Sequence, residues 1–221
     1  MRLNSQFITQ NSELRTRLYA IIDPAKAGER SPLAIFDALV SAGVRWIQYR
    51  DKEGSSRRLF ATCWQLAERA RKCRATLIVN DRADVALASG ADGVHLGQDD
   101  LPVDLARRVV RGGAIVGRST HSIAEVEEAN RSSADYVAFG PIFPTQSKKH
   151  PDPIVGLEGL RAARIATRKP LVAIGGLTLE NAHAVIEAGA DAVAVIGDLL
   201  AHADIGARAR EFLRILDACR S

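Results

Sequence analysis

Short apolar runs rich in β-branched residues recur along the chain at even intervals. They are LYAII from Leu18, VRWIQY from Val44, TLIV from Thr76, GVHL from Gly93, AIVG from Ala114, YVAFG from Tyr136, LVAIGG from Leu171 and AVAVIG from Ala192. Between them lie segments with apolar positions at helical spacing and good helix formers, such as SPLAIFDALVSAG and SIAEVEEANRSSA. Strand alternating with helix throughout means crossover units and a parallel sheet. The joints repeat as well. SAGVRW, ASGADGV, SSADYV and EAGADAV each end a helix on small residues, often with a glycine for the left-handed cap, and start a strand at once. Eight such units predict an α/β chain folded as a (β/α)8 TIM barrel, one domain over residues 17–221. An open doubly wound sheet is the alternative, and the even count and equal spacing favour closure. The first 16 residues are polar, lack the apolar core of a signal peptide, and read as a loosely ordered tail.

A barrel of this kind carries its chemistry at the C-terminal ends of the strands, which sorts the polar residues. Asp92, Asp135 and Asp191 precede strands and read as turn or cap residues of the structural face. After the second run comes QYRDK, where alternation puts Gln48, Arg50 and Lys52 on one side. A neutral hydrogen-bonder and two cations suit a polyphosphate or carboxylate, although a strand end fading into a charged turn has the same composition. NDR follows the third run and GQDD the fourth, so Asp81 and Asp100 can approach across neighbouring strands. Two carboxylates with no cysteine nearby suit Mg²⁺ shared with substrate phosphates. Each is also a natural helix N-cap, Asp81 before RADVALASG and Asp100 before LPVDLARRV, and both readings stand. Asp84 and Asp99 read as solvent-facing or capping.

GRSTHS follows the fifth run. Ser119 suits a phosphate oxygen and His121 an acid–base or donor role, while Ser122 and Glu125 have the spacing of a capping box. His95, inside a strand, reads as a core histidine. The longest irregular stretch, GPIFPTQSKKHPDP at 140–153, follows the sixth run and combines hydroxyls and cations with prolines that stiffen it at both ends. A loop of this length is often functional, and it is expected to close over a ligand. After the last two runs, Gly175, Gly176 and Gly197 remove the Cβ that would block backbone N–H groups from a phosphate, and tight turning would also explain them.

Composition narrows the partner. With 30 basic and 26 acidic residues in 221, the formal net charge is only +4, and aromatics are 5%. That is a poor nucleic-acid binder, although the pI of 9.2 fits small anions. Three scattered cysteines give neither a disulfide framework nor metal-ligand spacing and suggest a reducing compartment. No window approaches a membrane span, so a cytoplasmic protein with no membrane partner is expected. There is no Ser-His-Asp elbow, zinc spacing or Walker loop.

The strand-end motifs QYRDK, VNDR, GVHLGQDD, GRSTH, GPIFPTQSK, AIGG and AVAVIG, in this order, resemble the thiamine-phosphate synthase family from about Arg17 to Ala218. The resemblance implies an enzyme that joins an aminopyrimidine-methyl diphosphate to a thiazole phosphate, or its carboxylated form, and releases pyrophosphate. It implies Mg²⁺ as cofactor, with Asp81 and Asp100 as ligands. It assigns the QYRDK segment (Gln48, Tyr49, Arg50, Asp51 and Lys52), with Asn80, Ser119 and Lys148, to the pyrimidine diphosphate. Among these, Arg50, Lys52, Ser119 and Lys148 act on the departing group. Thr145, Gln146 and Ser147 meet the thiazole phosphate, with Gly175, Gly176, Ile196 and Gly197 opposite. Family members often have serine at the position of Gly197, and a homodimer is compatible with the resemblance. A thiazole tautomerase of the same superfamily, using His121, and a non-catalytic phosphate-binding regulatory barrel are the competing readings. Arg50, Lys52, Asp81, Asp100 and Lys148 together favour the synthase.

Overall fold

The computed structural model describes residues 16–110, 112–145 and 152–219. All eight apolar runs form strands: β1 Leu18–Ile22, β2 Trp46–Tyr49, β3 Thr76–Asn80, β4 Gly93–Leu96, β5 Ile115–Thr120, β6 Tyr136–Phe139, β7 Leu171–Ile174 and β8 Ala192–Val195. They pair in parallel in sequence order, and β8 returns to β1, with Leu18 opposite Val193 and Ala20 opposite Val195. Closure therefore holds over the open sheet. The strands are mainly apolar because they are covered on both sides, by helices outside and by one another's side chains inside. β1, β2, β4, β6 and β8 are buried at every position. Each Leu, Ile or Val so buried contributes about 1.5–3 kcal/mol before conformational entropy is counted.

The helices are α1 Pro32–Ser41, α2 Ser56–Cys73, α3 Ala83–Ser89, α4 Val103–Val109, α5 Ile123–Arg131, α6 Gly156–Ala166, α7 Ala182–Glu187, α8 Gly197–Leu200 and α9 Ile205–Ala218. Serines start three of them. The hydroxyls of Ser31, Ser55 and Ser122 accept from N–H groups three residues on, at 3.1, 3.3 and 3.3 Å. A cap of this kind is worth about 1 kcal/mol. The box expected at α5 is displaced by one residue, because the Glu125 carboxylate takes the N–H of His121 instead of that of Ser122. α3 ends on Gly90, whose φ of 73° is the left-handed cap the joints predict. Among the described residues no helix is long and apolar enough to cross a membrane. The expected N-terminal tail lies, except for Thr16, outside the described residues.

The aspartates that precede strands sit on the N-terminal rim as expected, and they do more than turn the chain. Asp92, before β4, accepts the N–H of Leu77 in β3 at 2.8 Å. Asp135, before β6, accepts from Val116 in β5 at 2.7 Å, and Asp191, before β8, from Leu171 in β7 at 2.7 Å. Arg107 pairs with Asp135 and Arg164 with Asp191, each at 2.7 Å. One carboxylate per pair of strands thus satisfies a backbone donor at the frayed end of the neighbouring strand.

Candidate active site

At the C-terminal rim the ends of β2, β3 and β4 bring three charged groups together. Lys52 Nζ lies 2.5 Å from Asp81 Oδ2, and the Asp81 carboxyl is hydrogen-bonded to that of Asp100. Burial, followed by that hydrogen bond, pushes the Asp81 carboxyl up to about 6 against the pull of Lys52. Two carboxylates in contact must share a proton or a cation. The capping alternative falls away for both. α3 starts at Ala83 and α4 at Val103, and neither has a side-chain cap. Asp81 instead holds a left-handed φ of 63°, unusual outside glycine and tolerated best by Asp and Asn, which turns its side chain off the end of β3.

Asp100 is fixed by its own loop. Its Oδ2 accepts the N–H of Gly97 at 2.6 Å. The loop is tied down in turn by Arg118 of β5, which donates to Gly97 O and Gln98 Oε1, while Gln98 Nε2 donates to Ser119 O at 2.8 Å. Arg118 has no place in the sequence reading. As the residue before Ser119 it points to the opposite side of β5, and nothing local marks it as a clamp.

Gln48, Arg50 and Lys52, expected on one side by strand alternation, make contacts in three directions, because β2 ends at Tyr49. Lys52 reaches Asp81, which follows β3. Arg50 pairs with Asp23, which follows β1, is 2% exposed and also accepts the N–H of Ala25. Asp23 was missed because IIDPAK reads as an ordinary turn; its place after a strand was the available signal. Gln48 is buried and donates inward to the Tyr19 hydroxyl at 2.7 Å. The neighbours on the other side shape the loop. Tyr49 is fully buried and its hydroxyl donates to Asp51 at 3.2 Å. Asp51 also takes the N–H of Gly54 at 2.8 Å and lies 3.5 Å from Arg58. Asn80 ends β3 and is half-buried, and its carbonyl accepts from the N–H of Arg82 at 2.8 Å.

Inside the barrel Gln48 opens a chain of polar contacts. Tyr19 and Tyr136 hydroxyls lie 3.0 Å apart, Tyr136 Oη lies 2.8 Å from His95 Nδ1, and His95 Nε2 lies 2.9 Å from Ser119 Oγ. β1 and β6 are not neighbours in the sheet, so the tyrosine contact spans the barrel interior. Burial raises both phenols well above their ordinary range, so both stay protonated. A Cβ on Gly117 would fall 2.1 Å from Tyr136 Cζ and 2.5 Å from His95 Nδ1, so the glycine before Arg118 makes room for this contact.

The loop after β6 begins stitched to β7. Ile142 N–H bonds Ile174 O at 2.9 Å and Phe143 N–H bonds Gly175 O at 3.0 Å. His121 joins its two ends, with Nδ1 on Gly140 O and Nε2 3.5 Å from Asp152 Oδ2. Gly175 and Gly176 have φ of 98° and 64°, and a Cβ on them would meet Pro141 Cα and Pro144 O, each at 2.5 Å. Packing of this loop, beyond tight turning, is what requires glycine there. A Cβ on Gly197 would meet nothing within 4 Å, so this rim position is open. Ile196 immediately precedes it, and Thr145 is the last described residue before the gap. Gln146, Ser147 and Lys148 lie outside the described residues. Among the described residues no group of three or more His, Cys, Asp or Glu could hold a metal ion. The Asp81–Asp100 pair fits a hard cation whose other positions go to water and phosphate.

Fold and rim together define a (β/α)8 barrel with ion-paired cations at its mouth and a crowded carboxylate pair at its strand ends. The sequence profile described as thiamine monophosphate synthase matches residues 18–199, and the chain belongs to that family. It is 51% identical over 204 residues to a thiamine-phosphate synthase of Koribacter versatilis, covering 90% of this chain and 95% of that one. A thiamine-phosphate synthase of Chloroflexus aurantiacus is 44% identical over 88% of this chain and 90% of its own. The solved thiamine phosphate pyrophosphorylase of Pyrococcus furiosus superposes with a TM-score of 0.85 at 30% identity, covering both chains in full.

Proposed function

We propose that the chain makes thiamine phosphate, joining an aminopyrimidine-methyl diphosphate to a thiazole phosphate and releasing pyrophosphate. The observation that carries this reading is the Lys52–Asp81–Asp100 contact at the mouth of a barrel 51% identical to a protein of that activity. The C–O bond to the diphosphate breaks and its electron pair leaves with pyrophosphate. The electron-rich aminopyrimidine supports the resulting methylene cation. The thiazole nitrogen then supplies the lone pair for the new C–N bond. No proton has to leave that nucleophile, which accounts for a site without a nucleophile motif.

The chain's task is to hold two rings in line and neutralise a departing anion. Arg50, oriented by Asp23, together with Lys52 and Lys148, binds the diphosphate, and Ser119 and Asn80 hydrogen-bond it. The other members of the QYRDK segment, Gln48, Tyr49 and Asp51, shape that subsite. Thr145, Gln146 and Ser147, with Gly175, Gly176, Ile196 and Gly197, form the thiazole-phosphate side. Asp81 and Asp100 would hold Mg²⁺, which when bound offsets negative charge on the leaving group. A cytoplasmic setting fits three unpaired cysteines. His121 closes the loop after β6 on itself, which gives the tautomerase alternative no observation in its favour. The test is incubation with both substrates. Thiamine phosphate and pyrophosphate should appear in equal amounts with Mg²⁺ and fail to appear with EDTA; no product under any metal condition overturns the reading.

A further inference from the structure

We infer that the chain Gln48–Tyr19–Tyr136–His95 is a one-way hydrogen-bond relay that fixes the Ser119 hydroxyl as a donor to the substrate. His95 and Tyr136 are therefore positioning residues. The direction starts at Gln48, whose amide nitrogen can only donate, so the Tyr19 oxygen accepts. Tyr19 then has one proton, and the acceptor within reach is Tyr136 at 3.0 Å. A hydroxyl that accepts on one side and donates on the other strengthens both bonds, so Tyr136 donates onward to His95 Nδ1. An imidazole that accepts at Nδ1 carries its proton on Nε2. That proton points at Ser119 Oγ, 2.9 Å away. With one lone pair so occupied, Ser119 turns its own proton outward.

The arrangement is built. Tyr19 and Tyr136 are both essentially inaccessible, and Trp46 stacks on Tyr19 at 3.8 Å and meets Tyr136 edge-on at 5.1 Å. Residues from β1, β2, β4, β5 and β6 converge on it, and Gly117 clears its path. Such interiors are usually filled by branched aliphatic side chains. A buried polar chain in which each hydroxyl accepts on one side and donates on the other is cooperatively strengthened along its length, which favours one consistent polarity. An outward Ser119 proton suits an anionic oxygen of a diphosphate, and a reversed relay would present a lone pair to that anion.

The kinetic consequence rests on the proposed activity, and the tautomer does not. Nitrogen-15 NMR of the five histidines, with His95 assigned by its loss in His95→Gln, should show the Nε2–H tautomer in the wild-type protein. Tyr136→Phe removes the donor to Nδ1 and should abolish that preference. It should lower kcat about tenfold while KM for either substrate moves less than about twofold. His95→Gln can still present an Nε2 donor to Ser119 and should keep kcat within about threefold, whereas His95→Leu should lose more than about tenfold. The Nδ1–H tautomer in the wild type overturns the relay whatever the variants do. So does a Tyr136→Phe protein with unaltered kcat. If the wild type has the expected tautomer but makes no thiamine phosphate, the activity reading fails and the relay's polarity stands.

Discussion

Asp135 on the N-terminal rim and Asp81 on the C-terminal rim are the same residue type beside the same kind of parallel strand, and their surroundings differ in kind. Asp135 accepts one backbone N–H and one arginine, each at 2.7 Å. Asp81 touches Lys52 at 2.5 Å and a second carboxyl, Asp100, in a half-buried setting that pushes it up to about 6. On the first rim each carboxylate has donors of its own. On the second, the carboxyls of Asp81 and Asp100 crowd one another beside a single lysine that pairs with Asp81, and the backbone of Asp81 is left-handed. The lower rim stabilises the barrel, and the upper rim stores an electrostatic conflict that a cation and an anionic substrate would resolve.

Exchanging charge for amide on the upper rim should have the largest effect. Asp81→Asn keeps the shape and the tolerance for positive φ. It should lower Mg²⁺-dependent turnover by about 100-fold or more, with a melting temperature in metal-free buffer at or above that of the wild type. A large loss of folding with either Asp81→Asn or Asp100→Asn would return that residue to a structural role. Next comes the clamp behind Asp100. Arg118→Met frees the 97–100 loop and should weaken the apparent Mg²⁺ affinity about tenfold, with kcat at saturating metal nearly unaltered. An unshifted metal dependence would make Arg118 a bystander.

On the lower rim the expectation reverses. Asp135→Ala leaves the N–H of Val116 without its acceptor and should cost about 1–3 kcal/mol in urea unfolding while kcat holds. The smallest effect is in pH. The Asp81 carboxyl titrates near 6 in the folded chain and near 3.8 when unperturbed. Between these values the folded state holds the extra proton, so metal-free stability should fall as pH rises through that window and level off above it. Asp81→Asn should flatten this part of the profile, and an unchanged slope in that variant would assign it elsewhere.

The strands were legible because each is built on a short apolar run between repeated small-residue joints, and the pairing of β8 with β1 confirms the closure that their even count favoured. The rim was legible in part. Asp81 and Asp100 could be placed on neighbouring strand ends, but Asp before a helix also spells a cap, and only the positive φ of Asp81 and the Gly97 contact of Asp100 separate the two. The interior relay was not legible. Tyr19 and Tyr136 are 117 residues apart and look like core aromatics until the barrel brings β1 and β6 face to face. Gly175 and Gly176 suggested ligand access, while their immediate cause is the loop packed against them.

The difference between the rims can be measured directly by titrating Mg²⁺ calorimetrically, in the presence of pyrophosphate, into the wild type, Asp135→Asn and Asp81→Asn. One saturable site is expected in the first two proteins and none in the third. Binding to Asp81→Asn as tight as to the wild type would contradict it.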